Sequence, residues 1–314
     1  MSAALSRRQL LTTAAATLGT AHLLSAAESK PVPQASSFRY ALNTSTIRGQ
    51  DLSIVEEIDL AAKAGYGGVE IWLRKLTPYV EQGGSLKDLR KRIEDHGLTI
   101  PSAIGFAQWI VDDDEARKKG LEVAKHDMDL LAQIGAERLA APPTGATKQT
   151  DLNLFAAAER YRALIELGET MGIIPQVEVW GFSKSLSRLG ESVFVMIESG
   201  HTKACLLPDV YHIFKGGSDF AGLKMLAGSA IQVFHMNDYP AEPERKSMND
   251  SHRVYPGDGV APLNDILGGL RDNGFNGWLS LELFNRDYWK QPAEEVARTG
   301  LEKMKASVQK AMEA

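Results

Sequence analysis

The stretch Ile231–Asp238, with the sequence IQVFHMND, begins as an apolar run and ends in polar residues. Such a run predicts a short buried strand with His235 near its carboxyl end. Three other apolar runs end in a similar way: PQVEVW carries Glu178, ACLLPDVYH carries Asp209, and GWLSLELF carries Glu282. In a closed parallel barrel, the carboxyl ends of the strands surround one central pocket. The four runs therefore predict a barrel with its active site at the strand ends.

The pattern of the whole chain supports this interpretation. From residue 38 onward, short apolar runs alternate with segments in which apolar residues recur at helical spacing, giving eight strand–helix pairs. The sixth pair is a strand at 204–209 followed by a helix at 220–227. Eight such pairs predict an α/β protein with a (β/α)₈ TIM barrel over residues 38–314. The long aperiodic stretch at 239–262 is expected to form a wall or lid of the pocket.

The first 37 residues differ from the rest of the chain. Arg7 and Arg8 precede an alanine-rich, weakly hydrophobic run, and Ser25-Ala26-Ala27 has the small residues of a cleavage site. This pattern resembles a twin-arginine signal peptide over residues 1–27, followed by a linker over 28–37. It predicts export to the periplasm by the twin-arginine (Tat) machinery. A membrane anchor is the alternative, but the run is too short and too polar to form a stable one.

Composition limits the classes of partner. Cys205 is the single cysteine, which excludes an internal disulfide and a cysteine-based zinc site. The net charge is −5, with no block of basic residues beyond the N-terminus, which argues against a nucleic-acid partner. A small-molecule partner is expected, and the sequence leaves open whether the protein is a monomer or a homo-oligomer.

The four strand-end side chains have the chemistry of a metal site. A single carboxylate at a strand end often caps a helix or pairs with an arginine, but four polar residues at equivalent places match a coordination set. Three carboxylates that face one centre repel one another, and a cation compensates for this. The set predicts one divalent metal held mainly by oxygen, with manganese preferred and magnesium, cobalt or zinc as alternatives.

These motifs, with RVYPGDG at 253–259, resemble the xylose isomerase-like TIM barrels, the sugar phosphate isomerase and epimerase superfamily. The resemblance covers nearly the whole chain after the predicted signal peptide. It implies that the metal ligands are Glu178, Asp209, His235 and Glu282. It also implies that Glu178 and Glu282 transfer a proton on opposite faces of the substrate, and that His212 and Arg253 contact substrate oxygens.

The activity implied by the resemblance is metal-dependent isomerisation or epimerisation of a sugar, by proton transfer next to a carbonyl through an enediolate. One departure concerns the ketohexose 3-epimerases of this family, which carry a further glutamate where this chain has Lys184. An alternative is a dehydratase or lyase acting on a keto-cyclitol or 3-keto-glycoside, which export favours. Two others are a non-catalytic sugar-binding barrel and the endonuclease branch, whose extra ligands and basic surface the sequence lacks.

Other candidate residues lie on or near the strand ends. Glu70 on the second strand is predicted to bind substrate, with an ion pair to Arg74 as the alternative. Trp180 is predicted to stack on the substrate, with core packing as the alternative. The same two interpretations apply to other aromatic residues near strand ends, namely Trp72, Trp109 and Phe284.

Overall fold

The computed structural model describes residues 38–313, and the predicted signal peptide and linker lie outside the described residues. The strands in chain order are β1 Arg39–Asn43, β2 Gly68–Trp72, β3 Ala103–Ile104, β4 Arg138–Ala141, β5 Ile174–Glu178, β6 Leu206–Leu207, β7 Val233–Met236 and β8 Trp278–Leu281. All the pairings between these strands are parallel.

Two sheets with the orders β3-β2-β1-β8-β7 and β4-β5-β6 make up the barrel wall. Isolated parallel bridges join the two sheets into a ring: Ile100 to Ala136 on one side, and Leu206 to Ile231 and Asp209 to His235 on the other. Seven of the eight strands contribute one residue each to a small buried cluster inside this ring: Ala41, Trp72, Ile104, Ala140, Leu207, Val233 and Trp278. The predicted TIM barrel is therefore confirmed.

The helices among the described residues are α1 Ile54–Ala64, α2 Leu73–Glu81, α3 Leu86–Asp95, α4 Asp114–Gln133, α5 Leu154–Glu169, α6 Leu189–Glu198, α7 Val210–Gly216, α8 Leu263–Asp272 and α9 Ala293–Glu313. Short 3₁₀ turns lie at Thr44–Gln50, Phe220–Met225, Gly228–Ala230, Asp250–His252 and Tyr288–Lys290. In this part of the chain, no helix combines the length and the apolar character needed to cross a membrane.

The predicted helix at 220–227 is wrong, because this segment forms only the 3₁₀ turn at Phe220–Met225. The helix of the sixth unit is α7, which starts directly after Asp209. Asp209 caps its first turn, and Gly217 ends it in the left-handed region with φ 81°. Helix α2 was also not predicted. At 98–106, only Ala103–Ile104 forms a strand, and Pro101 interrupts the ladder because it has no N–H to donate.

A buried carboxyl group on α1 gives a pH-dependent prediction. Burial raises the pKa of Glu57 to about 7, and Thr44 and Lys75 offset this effect only in part. Because the folded pKa lies above the ordinary value of 4.5, the protonated group favours folding at low pH. This contribution is complete below about pH 4.5 and is lost as the pH rises through about 7. At pH 8, we expect Glu57→Gln to unfold at a higher temperature than the wild type. Its free energy of unfolding should be larger by up to about 3 kcal/mol.

Thermal unfolding at pH 4 and at pH 8 measures this difference. The two proteins are expected to have the same midpoint at pH 4, where the glutamate is already protonated. The exposed Glu81 on α2 supplies the matched control, and Glu81→Gln is expected to change neither midpoint. A stability difference between Glu57→Gln and the wild type that does not vary with pH would contradict the prediction.

Candidate active site

The residues predicted as metal ligands lie at the carboxyl ends of strands on one rim of the barrel: Glu178, Asp209, His235 and Glu282. All four side chains are buried. One ligand atom from each of Asp209, His235 and Glu282 lies within 4.8 Å of the other two, and we call these three residues the triad. The carboxylate of Glu178 is not part of the triad, but Glu178 and Glu282 line the same cavity.

Asp209 uses its two oxygens for different purposes. Its Oδ1 accepts a hydrogen bond from the backbone N–H of His212 at 2.7 Å and so caps α7. Its Oδ2 lies in the triad and accepts hydrogen bonds from Asn237 Nδ2 at 2.9 Å and Arg253 Nη1 at 2.9 Å. The cap helps to fix the position of this carboxylate, because rotation of the side chain would break the cap hydrogen bond.

Glu70 contacts His235 at Nε2, the ring nitrogen farther from Asp209 and Glu282. This nitrogen lies 3.0 Å from Glu70 Oε2, and the same oxygen accepts hydrogen bonds from Asn43 Nδ2 at 2.9 Å and Ser280 Oγ at 2.7 Å. The other ring nitrogen, Nδ1, lies 3.2 Å from Glu282 Oε2 and 3.7 Å from Asp209 Oδ2. A carboxylate bound to one imidazole nitrogen orients the other nitrogen, as in many metal-binding histidines.

This position of Glu70 differs from both of its sequence interpretations. Glu70 is fully buried against His235 and is absent from the residues that line the cavity. The alternative, an ion pair with Arg74, is not formed, since the guanidinium of Arg74 lies 4.8 Å from the centre of the Trp72 ring. The structure therefore connects Glu70 with the triad rather than with the cavity.

Arg253 is a buried cation surrounded by acidic groups. Its Nη1 donates to Asp209 Oδ2 at 2.9 Å and to Glu282 Oε2 at 2.8 Å, while Nη2 donates to Asp250 Oδ1 at 2.8 Å. Burial alone would lower the pKa of Arg253, but the charges of these carboxylates raise it. The guanidinium therefore stays charged and neutralises part of the negative charge at the strand ends.

The donor set fits a divalent cation. Three carboxylates and one imidazole are ligands of the type that manganese, cobalt and zinc accept. Two buried atoms that could bind a metal, Glu178 Oε2 and His235 Nδ1, have no hydrogen-bond partner among residues 38–313. Burial would lower the pKa of His235, but the charges of Glu282 and Glu70 raise it well above the ordinary value. Binding of a cation at Nδ1 would consequently release a proton.

The two glutamates predicted to be catalytic have different environments. Burial raises the pKa of Glu178 to about 8; His235 opposes this effect, and the nearby charge of Glu282 adds to it. Burial acts on Glu282 in the same direction, but His235 and Arg253 outweigh it and lower the pKa of Glu282. Two carboxyl groups with pKa values displaced in opposite directions are typical of acid–base pairs in active sites.

A cavity of about 140 Å³ lies above the triad. His212, Arg253 and Trp180 line it, whereas Trp109 is buried elsewhere and donates its indole N–H to Pro142 O at 2.8 Å. Burial and the charge of Arg253 lower the pKa of His212 to about 4. The neutral ring accepts a hydrogen bond from Arg253 Nη2 at 3.0 Å through Nε2, so Nδ1 carries the proton.

Asn237 and Asp238, shortly after His235, were given no role from the sequence. Asn237 joins Asp209 to the backbone of α7, because its Oδ1 accepts from Tyr211 N at 2.8 Å. Asp238 accepts four backbone N–H bonds of 2.8–3.1 Å, from Tyr239, Gly257, Gly259 and Ala261. Asp238 thus closes the 239–262 loop that carries Arg253. The polar pair Asn237-Asp238 at the end of HMND was the available signal in the sequence.

Fold and site together define a barrel enzyme of the xylose isomerase type. The chain belongs to the xylose isomerase-like TIM barrel family, whose sequence profile matches residues 58–307. This confirms the family resemblance found in the sequence.

Particular relatives narrow the class of activity. The chain is 26% identical over 264 residues to inosose isomerase of Bacillus velezensis, a match that covers 83% of this chain and 94% of that protein. It is 27% identical over 258 residues to 3-dehydroshikimate dehydratase of Pseudomonas aeruginosa, covering 79% of this chain and 39% of that longer protein. A solved structure of the IolI protein with a bound zinc atom superposes with a TM-score of 0.80 at 22% identity, covering 87% of this chain and 99% of that one. The predicted enzyme class is thereby confirmed at the level of the family.

Proposed function

We propose that this protein is a divalent-metal-dependent isomerase or epimerase, which moves a proton at the carbon next to a carbonyl of a sugar or a cyclitol. The observation that carries the proposal is the arrangement at the strand ends. The triad of Asp209, His235 and Glu282 lies beside a third carboxylate, that of Glu178, which lines the cavity and has an oxygen without a hydrogen-bond partner among the described residues. A metal site next to a carboxylate without a partner suits removal of a weakly acidic proton.

We assign the cation to Asp209, His235 and Glu282, with Glu178 as the predicted fourth ligand. When bound, it would supply Lewis-acid chemistry to substrate oxygens. The IolI structure contains zinc, and the relationship supports a divalent metal in general; manganese remains our proposal, with magnesium, cobalt and zinc as alternatives.

The protein groups supply the proton transfer and the orientation of the substrate. In this proposal, the positive charge of a bound cation would hold Glu178 in its ionised form, although its pKa without the cation is about 8. Glu178 then takes the proton from the carbon next to the carbonyl, and Glu282, once it is protonated, returns one from the opposite face. Two buried N–H donors, His212 Nδ1 and Arg253 Nε, have no partner among the described residues, and both residues line the cavity. We infer that they bind substrate oxygens, because an unpaired buried donor is costly without a ligand.

Dehydration is a second candidate function, because the Pseudomonas relative is named a dehydratase. The first step is the same proton transfer to a carboxylate. In the second step, the hydroxyl group on the adjacent carbon takes a proton and leaves as water, and a double bond forms between the two carbons. The same residues therefore serve both reactions, and the products distinguish them.

An isotope experiment tests the proposal. The manganese-loaded protein is incubated in heavy water with inosose and with 3-keto-glucose, and the substrates are followed by NMR. We expect deuterium at the carbon next to the carbonyl, with an isomer or epimer as product. A dehydrated product would establish the second candidate. Absence of both deuterium uptake and water loss with every keto substrate would contradict proton transfer as the function.

We also infer that the protein is exported to the periplasm by the Tat machinery, and the support for this lies in Arg7, Arg8 and the small residues at 25–27. Replacement of both arginines by lysine is expected to leave the precursor in the cytoplasm. Fractionation of cells followed by immunoblotting measures the distribution. Lys30→Arg, in the predicted linker, is the matched control and should be exported normally. Normal export of the double variant would exclude the twin-arginine route.

A further inference from the structure

A continuous row of aromatic rings leads from the cavity to the surface. We call it the aromatic collar; in spatial order it consists of Phe284, Trp72, Phe106, Trp180 and Phe182. Successive ring centres lie 5.9, 5.5, 6.1 and 5.0 Å apart, which is within the range of favourable aromatic contacts. All five residues line the cavity above the triad.

The rings of the collar differ in exposure: Trp72 is buried, Phe284 and Trp180 are half-buried, and Phe106 and Phe182 are exposed. Trp72 is 6% exposed, whereas Phe106 and Phe182 at the rim are 41% and 47% exposed. Two large apolar rings that face solvent at the mouth of the cavity lose the stabilisation that burial would give them. Apolar surface of this kind, beside a cluster of charged groups, is typical of a site that a ligand covers.

The loop that presents Phe182 is rigidly built. Trp180 N donates to Leu186 O at 2.9 Å, and Ser185 Oγ donates to Ala146 O at 2.8 Å. Leu186 adopts φ 49°, a conformation that costs free energy for a residue with a side chain and persists only where the surroundings enforce it. A Cβ atom at Gly181 would lie 2.3 Å from His212 O, so this loop packs directly on the backbone of α7. The position of Phe182 at the rim is therefore set by contacts within the protein.

The size of the cavity limits what it holds. Its volume of about 140 Å³ is below the range of about 300–1,000 Å³ that is usual for ligand sites. The carboxylates, His212 and Arg253 occupy its inner end, where the reacting carbonyl belongs according to the proposed function. Any further part of the substrate must leave the cavity across the rings of the collar.

We propose that the substrate contains a second ring with an apolar face, joined to the ring that reacts, and that this second ring stacks on Phe106, Trp180 and Phe182. The inference rests on the proposed function for the position of the reacting ring. Both a second sugar ring, through its C–H face, and an aromatic substituent supply the required surface. The substrate class is accordingly a keto-glycoside rather than a single-ring sugar or cyclitol.

Binding measurements test this subsite independently of catalysis. The probes are methyl glucoside, phenyl glucoside and the disaccharide cellobiose, titrated into the manganese-loaded protein by calorimetry. We expect phenyl glucoside or cellobiose to bind at least about 10-fold more tightly than methyl glucoside, because stacking on two or more rings adds to the contacts of the first ring. The stronger of the two identifies the second ring as aromatic or as a sugar.

Variants at the rim assign the difference to the collar. The preference is measured as the dissociation constant of methyl glucoside divided by that of the tighter two-ring probe. Phe182→Ala should lower this ratio about 10-fold. Phe182→Tyr should keep this ratio because it preserves the flat ring. Phe155, 62% exposed on α5 and paired with Phe194, is the matched control, and Phe155→Ala should leave the ratio unchanged.

Two results would overturn the proposed subsite: equal affinity of the wild type for one-ring and two-ring probes, or a preference that Phe182→Ala leaves intact. The deuterium experiment tests the reaction and does not depend on the subsite. Failure of proton transfer with a preserved two-ring preference would remove the proposed function and leave a sugar-binding barrel with this subsite. Proton transfer without a two-ring preference would remove only the subsite.

Discussion

The variant His235→Gln is expected to lose bound divalent metal and catalytic activity together. His235 is the only nitrogen ligand in the triad, and its Nδ1 lies 3.2 Å from Glu282 Oε2 at the centre of the site. The glutamine amide still donates to Glu70 in place of Nε2, which keeps the buried carboxylate paired and the fold intact. We expect metal affinity to fall by more than the factor of about 10–100 that changes to outer partners of a ligand cause.

Elemental analysis of the purified protein and deuterium uptake into substrate are the two measurements. His96→Gln is the matched control, because His96 is exposed and pairs with Asp59 at the surface. It should retain both metal and activity. Full metal occupancy in His235→Gln would show that the triad does not hold the cation, and the proposed function would lose its main support.

A variant of Glu70, which binds His235 Nε2, should give a smaller loss of metal affinity. In Glu70→Gln, the amide oxygen can take the place of Oε2, which faces Asn43, Ser280 and His235, but the neutral amide accepts more weakly and the negative charge beside His235 is lost. The variant retains every ligand of the triad. We therefore expect a loss of metal affinity of about 10–100-fold, smaller than that of His235→Gln. Equal losses would mean that Glu70 is needed for the fold of the site as a whole.

The sequence predicted the barrel and the four strand-end residues for one physical reason. A parallel strand buried on both faces must be apolar, so a charged residue at its end is visible in the sequence, as with Glu178 after IPQV and Glu282 after WLSL. Barrel closure then brings residues about one hundred positions apart to the same rim. Both steps depend on local pattern and on a general rule of topology.

The features that were not predicted depend on contacts that no local pattern encodes. Helix α7 has seven residues, which is too short to show helical periodicity, and an apolar run of this length is equally compatible with a strand. The contact between Glu70 and His235 joins residues 165 positions apart. The burial of Arg253 among three carboxylates likewise follows from how Asp238 closes the 239–262 loop, which the sequence predicted only as a wall or lid of the pocket.

Glu178→Gln is expected to abolish proton transfer while leaving the fold unchanged. The side chain is buried, lines the cavity, and has an oxygen without a hydrogen-bond partner among the described residues. Glutamine has nearly the same volume, so the substitution removes the proton acceptor without creating a cavity. Loss of a positioned general base lowers the rate by about 10²–10⁴-fold. We expect the rate of deuterium uptake to fall by a factor in this range.

The metal content of Glu178→Gln separates the two roles predicted for this residue. Asp209, His235 and Glu282 remain in the variant, so we expect it to keep more metal than His235→Gln while losing activity to a similar degree. The exposed Glu81 again provides the control, since Glu81→Gln should retain full activity. Metal loss as complete as in His235→Gln would make Glu178 an essential ligand. Unchanged deuterium uptake in Glu178→Gln would exclude it as the base and leave Glu282 as the remaining buried glutamate that lines the cavity in the described part of the chain.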